Sequence, residues 1–392
     1  MICVGIDVAK DKHDCFILSS DGEVLADVFT IPNNAAGFDV LLQAIRSAAA
    51  PSDVIRVGLE ATGHYSYNIL GFLLGKGLPT YVINPLHTNL YRRSLTLRKT
   101  KTDRIDARTI ATMLMSDVEL KAYTDTSHHN EELKSLTRYR FDKVRERAKL
   151  KQSISRLVTI LFPELEKLVP KLHMASVYAL LSEFPGAHQV AGAHLTRLKT
   201  LLAEASNGRY GRDHALVIRE GAQNSIGACL PAKSLELRHT IRLIGELDKE
   251  IDEIEQEINR IMADLHSPIT TIPGIGTRMG AIILAEVGDF SNFSSADKVL
   301  AYAGMSPSTY QSGQLSNYYS HMEKRGSRYL RSAIFNATKY VCNWDPTFAA
   351  YLAKKRAEGK HYIVAISHAA KKLIRLIYAM ERSGQPYRPP AP

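Results

Sequence analysis

ICVGIDVAKDKHDCFILSSDGEVLADVFTI, residues 2–31, decides how the amino-terminal part of the chain folds. Residues 2–9 are an apolar run of strand length. Residues 13–31 hold two more such runs, separated by the turn sequence Ser20-Asp21-Gly22. The period then changes. In residues 34–50, Phe38, Leu41, Leu42 and Ile45 recur at helical spacing. Residues 53–61 read as a strand, 66–78 as a helix closed by Gly77, 79–85 as a strand and 102–115 as a helix. Three strands, helix, strand, helix, strand, helix predicts a mixed sheet with helices on both faces. This is the element order of the ribonuclease H-like fold.

Four acids fall at telling places in that order. Asp7 ends the first strand and Glu60 the fourth, in GLEATGHY (58–65). The expected fold makes these strands neighbours, so the two carboxylates can converge. Asp103 and Asp106, three apart on a helix, share a face. Converging carboxylates repel unless a cation joins them, and hard oxygen donors suit Mg²⁺ or Mn²⁺. The Asp103/Asp106 pair lies in the most basic stretch of the amino-terminal half. Arg92, Arg93, Arg98, Lys99, Lys101, Arg104 and Arg108 stand around only these two acids. Cations that dense are expected to hold a nucleic-acid backbone, whose phosphodiester a pair of ions can activate. Each acid alone has a plainer reading, as a solvated helix face or a strand-end turn. GIDVAK (5–10) also resembles the phosphate strand of actin-like sugar kinases, but Ala9 stands where those need glycine, and no Gly-rich adenosine motif follows.

The chain has 392 residues, enough for two or three domains, and a net charge of +10, which favours a polyanionic partner. Its four cysteines show no CxxC spacing, so a zinc ribbon or dithiol motif is not expected, and a reducing cytoplasm suits the chain. The first residues lack a signal-peptide pattern, and no apolar run reaches the roughly 18 residues of a membrane span.

Residues 131–161 read as one long helix with nine Lys or Arg against two acids between Lys134 and Arg156. Apolar spacing is kept at each end, while Arg140, Lys143 and Arg147 occupy the centre. That excess predicts nucleic-acid contact, with a solvated charged face as the plainer reading. Ile244, Leu247, Ile251, Ile254, Ile258, Ile261 and Leu265 form an uninterrupted heptad seam, predicting a coiled coil, or else a hairpin with the 133–161 helix. Residues 269–290 have the look of a helix-hairpin-helix. Its Pro273-Gly274-Ile275-Gly276 turn could bring backbone N–H groups of Gly274 and Gly276 to a phosphate. A basic loop running into a helix follows, with Lys324, Arg325, Arg328 and Arg331. Between them lies Ser312-Gly313, which by itself reads as a turn.

Taken in order, GIDVAK, GLEATGHY, INP, KTKTDRIDARTIA, TIPGIG, AYAGMSPSTYQSG and KRGSRYLR span nearly the whole chain. The set resembles the DEDD insertion-sequence transposases, the group of the Piv invertase and the bridge RNA-guided recombinases. The resemblance implies an α/β plus all-α chain. Residues 1–125 would be a RuvC-like DEDD domain and 126–265 a helical and coiled-coil region. Residues 266–392 would be a mainly helical transposase domain with the helix-hairpin-helix. It matches the metal-binding tetrad to Asp7, Glu60, Asp103 and Asp106, and the nucleophilic serine to Ser312, with Ser306 and Ser308 as competitors. It implies a recombinase that cuts and rejoins donor and target DNA through a phosphoserine link, with a structured noncoding RNA as guide. Subunits would act as dimers of dimers with a composite site. The alternative from the same acids is a metal-dependent nuclease or junction resolvase using water. A non-catalytic nucleic-acid-binding protein would leave the tetrad unexplained. DVAK stands where the family more often has DVSK, and the tail after Tyr340 is extended by a basic helix around KKLIRLIY (371–378) and a Pro-rich end.

Overall fold

The computed structural model describes residues 1–60, 63–83, 85–95, 103–116, 120, 122–123, 125–307, 311–312, 315–316 and 321–389. The chain divides into two compact units, Met1–His128 and His129–Pro392.

In the first unit β1 (Ile2–Val8), β2 (Lys12–Ser19) and β3 (Val24–Pro32) form an antiparallel meander. Helix α1 (Ala35–Ala48) follows, capped by the Asn34 side chain, which accepts from the Gly37 amide at 2.9 Å. Strand β4 (Ile55–Glu60) then pairs parallel to β1. Helix α2 (Ser66–Gly75) crosses over to β5 (Thr80–Ile83), parallel to β4. The five-stranded order is β3-β2-β1-β4-β5. Helices α3 (Pro85–Leu95) and α4 (Asp103–Ser116) complete the unit. The expected strands and helices are all present. Helix α3 is an addition, because its sequence PLHTNLYRRSL has no apolar stripe; the one residue it buries fully among those described is Thr88.

Strand alternation sends Ile2, Val4, Ile6 and Leu59 to the face covered by α1 and α2, packed against Phe38, Leu41, Ile69 and Leu73. Cys3, Phe16, Leu18 and Tyr81 face α4. There the sheet is unusually shallow. Gly5 and Gly58 are register partners on adjacent strands, and α4 lies directly on them. A methyl group on Gly5 would meet the Ala107 carbonyl oxygen at 2.1 Å and the Ala111 nitrogen at 2.6 Å. One on Gly58 would meet Ile110 and Leu114 at 2.8 Å.

The second unit is helical: α5 (Asp125–Leu161), α6 (Leu165–Leu168), α7 (Ala175–Glu183), α8 (Ala187–Gly192), α9 (Leu195–Ala205), α10 (Arg212–Gln223) and α11 (Pro231–Leu265), then α12 (Thr277–Val287) and α13 (Ala296–Tyr302). A two-stranded ribbon, β6 (Gln311–Ser312) with β7 (Leu315–Ser316), precedes α14 (Arg328–Trp344), α15 (Pro346–Ala357) and α16 (Tyr362–Ser383). It has two cores. One joins Ile154, Leu157 and Leu161 of α5 to Leu237, Ile241 and Ile244 of α11 and to α7–α10. The other joins Leu133 to Ile254, Ile258 and Ile261 of α11 and to α12, α13, α14 and α16.

Helices α5 and α11 run antiparallel. As α5 advances through Arg140, Lys143, Arg147 and Arg156, the carboxylate partners retreat through Glu255, Glu250, Asp248 and Glu236. The heptad seam is therefore covered inside the chain: Ile244, Ile251, Ile254, Ile258 and Ile261 are all buried. The hairpin, the second of the two readings of that seam, is the arrangement found. These seam residues are packed within the chain, against the cores at the two ends of the helix pair.

Gly5→Ala should destabilise the chain by about 1–3 kcal/mol, the cost of forcing atoms into a packed contact. Gly71→Ala on α2, where an added methyl meets nothing within 4 Å, should gain about 0.5–1 kcal/mol. Urea unfolding of both variants, followed by circular dichroism, checks the contrast.

Candidate active site

The β1–β4 ladder runs from Ile2↔Ile55 to Ile6↔Leu59. Asp7 and Glu60 stand one step further, side by side at the strand ends. Each lies two residues beyond its glycine, so both fall on the face that α4 covers, and both are partly buried. A third acid joins them that the sequence reading missed. Asp14 is the antiparallel partner of Asp7, so the two share a face. It is buried, and its Oδ1 accepts from the Thr30 hydroxyl. The signal was available: Asp14 is a charge at the even spacing of Phe16 and Leu18, on an otherwise apolar stripe.

On α4, Ala107, Ile110, Ala111 and Leu114 are all fully buried against the sheet. Asp103 opens the helix one turn before Ala107 on that stripe; its side chain, with that of Arg104, lies outside the described residues. Asp106 accepts from Arg92 Nη1 at 2.8 Å, and Arg92 Nη2 donates to Asn89 Oδ1 at 3.0 Å. Arg92, expected at a phosphate, is thus the partner of an expected metal ligand. Arg93 is exposed at the end of α3. Arg98, Lys99 and Lys101 lie outside the described residues. Among the described residues no group of three or more His, Cys, Asp or Glu has metal-ligand spacing.

The other expected contacts divide in the same way. Arg140 pairs with Glu255 at 2.6 Å, Lys143 with Glu250 at 2.7 Å, and Arg147 with Asp248. These three cations are engaged within the chain, which accounts for much of the cation excess of α5. Gly274 has φ +92°, and a side chain there would meet the backbone of Tyr340 and Val341 at 2.7–2.8 Å. Its glycine is required by packing on α14. Gly276, at the amino end of α12, has open space around it. Arg331 ties down the loop before α14, with Nη1 donating to the carbonyls of Ala303 at 3.1 Å and Lys324 at 3.2 Å. Lys324, Arg325 and Arg328 are exposed. Ser312 ends β6 opposite Leu315; its side chain is outside the described residues, as is Ser308. Ser306 is partly buried, and its carbonyl accepts from the Glu323 amide at 3.1 Å.

Two family models match the chain and together cover more than half of it. Residues 4–163 match a DEDD transposase of the IS110 type, and residues 266–353 match the transposase IS116/IS110/IS902 family. The chain belongs to the DEDD insertion-sequence transposases. It is a DNA transposase of the IS110 family, in which divalent-metal dependence is general. An IS116 protein of 44.8 kDa from Streptomyces clavuligerus is 25% identical over 100% of this chain and 97% of its own length. The pilin gene-inverting protein of Moraxella bovis is 24% identical over 98% and 97%. The IS110 protein of 43.6 kDa from Streptomyces coelicolor is 29% identical over 73% and 72%. No helix among the described residues of the transposase is long and apolar enough to cross a membrane.

The transposase holds one further acid that the sequence reading passed over. Glu286, in α12, has a fully buried side chain. Arg138 of α5 grips it through Nε at 2.6 Å and Nη2 at 3.0 Å, and the Ser327 hydroxyl donates at 2.6 Å. Ser327 in turn caps α14, accepting from the Leu330 amide at 3.1 Å. One carboxylate thereby fixes the start of the KRGSRYLR helix. Burial pushes the Glu286 carboxyl up, but the hydrogen bonds from Arg138 and Ser327 and the charge of Arg138 outweigh it, leaving the group below its usual value.

A lowered folded-state pKa contributes stability above the ordinary glutamate value and loses it as pH falls further. Glu286→Gln should cost about 1.5–3 kcal/mol at pH 7, as for hydrogen bonds to a charged group. It should also flatten the decline of stability below roughly pH 4.3. Urea midpoints from pH 3 to pH 7 for both proteins, on the order of one measurement per half unit, test this.

Proposed function

We propose that the transposase cuts and rejoins DNA through a phosphoserine intermediate, with Asp7, Glu60, Asp103 and Asp106 as a RuvC-like metal site and Ser312 as nucleophile. The observation that carries this reading is the Gly5/Gly58 trough. It lets α4 lie on β1 and β4, whose next residues on that face are Asp7 and Glu60. The donor set is all carboxylate, which fits Mg²⁺ or Mn²⁺. A divalent ion held there supplies charge stabilisation at the scissile phosphate. Asp14, the register partner of Asp7, adds to the negative charge that a cation offsets.

The chain's own chemistry is an exchange of ester bonds. The Ser312 hydroxyl attacks phosphorus, its proton passes to solvent or a nearby base, and one strand end leaves as a free hydroxyl. A hydroxyl from the recombining strand then attacks the phosphoserine and releases the serine. The ester is conserved throughout, so no nucleoside triphosphate is consumed. Arg93, Lys324 and Arg325, exposed on their helix and loop, are the cations best placed to hold phosphates; Arg328 is exposed too, with Nη2 donating to the Tyr329 hydroxyl at 2.8 Å. Arg140, Lys143 and Arg147 rank behind them, since each would first have to leave a carboxylate. A structured RNA as guide and a homo-oligomer as the active form belong to the same proposal and rest on the resemblance.

Asp103→Asn should abolish strand exchange and leave DNA binding within about threefold of wild type, a change of under 1 kcal/mol. Ser312→Ala should bind DNA and form no covalent adduct, where wild type trapped on nicked DNA yields a band stable to denaturant. An adduct that persists in Ser312→Ala moves the nucleophile to Ser306 or Ser308. Metal-dependent cleavage with no adduct in any protein favours a nuclease using water. RNA sequencing of the purified protein tests the guide.

A further inference from the structure

We propose that the cleft between α5, α12 and α14 receives a single unstacked nucleotide base. This rests on the nucleic-acid reading above and adds a site to it, built from residues other than the carboxylates and the serine. The cleft has a volume of about 100 Å³ and is open to solvent on one side; it is smaller than the roughly 150 Å³ closed cavity that accepts one benzene ring, so a base would enter it in part, with its sugar and phosphate outside. Its floor is apolar, from Met279 and Ile282 of α12 and Ala333 of α14. Its walls are aromatic and polar. Phe141 and Tyr329 meet edge to face with centroids 5.0 Å apart and planes at 82°. Ser332 and Asn336 line the side formed by α14, where Tyr329, Ser332 and Asn336 follow the helical repeat on one face.

Cations surround the two rings. The Arg138 guanidinium lies 4.9 Å and that of Arg328 4.8 Å from the Tyr329 centroid, and Arg145 lies 5.8 Å from that of Phe141. Arg138 is neutralised by Glu286. Arg145 and Arg328 are exposed beside the two rings, Arg328 with Nη2 donating to the Tyr329 hydroxyl at 2.8 Å, and can meet the phosphate of a base that enters the cleft. An apolar floor with guanidinium-faced aromatic walls accepts a π-face. The Asn336 amide offers both a donor and acceptors to a base edge. A base inside a duplex presents neither its face nor its pairing edge, so the site selects single-stranded or extruded nucleotides.

The test uses the full-length protein and oligonucleotides carrying one 5-iodouracil, as DNA and as RNA of the same sequence, each single-stranded and fully paired. After near-ultraviolet irradiation, the cross-linked peptides are identified by mass spectrometry. Cross-links at Phe141 or Tyr329 from the unpaired strand, and not from the duplex, are expected. The strand chemistry that gives them tells whether the ligand is DNA or RNA. Tyr329→Leu should weaken single-strand binding roughly tenfold, as loss of one stacked base does, and Tyr329→Phe should retain it. Wild-type binding with cross-links only elsewhere overturns the pocket and leaves the transposase reading standing. So does unchanged affinity in a folded Tyr329→Leu protein. Failure of wild type to bind any nucleic acid overturns both.

Discussion

The contact of α4 with the paired glycines Gly5 and Gly58 is the constraint on which the amino-terminal unit depends. Two strands without side chains at one register leave a trough, and only there can the helix backbone come within contact of the sheet. The consequences run outward from it. The buried stripe of α4 has to be small or slim where it crosses β1, hence Ala107 and Ala111. The acids two residues past the glycines are left at the strand ends on the same face. A side chain at either glycine would lift the helix and carry its own acids away from those of the strands.

The helical unit solves a different problem, joining two cores along one pair of long helices. Apolar side chains are spent at both ends of the α5–α11 pair, where each core needs them. The middle is matched by charge. The more exposed pairs, Arg147–Asp248 and Arg156–Glu236, contribute little stability each, about 0–1 kcal/mol, whereas burying a leucine or isoleucine contributes about 1.5–3 kcal/mol. The charges therefore set the register of the helices, and the clusters at either end supply the adhesion. Glu286 is the exception, being fully buried. Its carboxylate holds α5, α12 and the amino end of α14 together through Arg138 and Ser327.

Net charge alone gives a poor map of a nucleic-acid surface. The chain carries 50 Lys and Arg against 40 Asp and Glu. Arg140, Lys143 and Arg147, in the densest cation run of α5, turn out to be partnered, while sparser cations at Arg93, Lys324, Arg325 and Arg328 are exposed. Partnering depends on acids about a hundred residues away on α11, which no local count of charges can register. Arg331 is similar: it reads as a phosphate contact in KRGSRYLR, yet it closes a loop by gripping two carbonyls.

The sequence by itself determined the strands and helices of the first unit and their order, because strand and helix periods are local properties of apolar spacing. It also placed Asp7 and Glu60 at strand ends, since a strand's end is marked where its apolar run stops. It left α3 unseen, because that helix has no apolar stripe, and it passed over Asp14, whose meaning comes only from its register partner. The heptad seam was legible as a seam, but its occupant was not: an apolar stripe is equally satisfied by another chain or by a helix of its own. Tertiary structure decided that, and it decided which cations are spent on carboxylates. It also showed that Gly5, Gly58 and Gly274 are glycines because a backbone or helix lies against them. Each of these facts is a contact between residues far apart in the chain, and such contacts are set by packing in three dimensions.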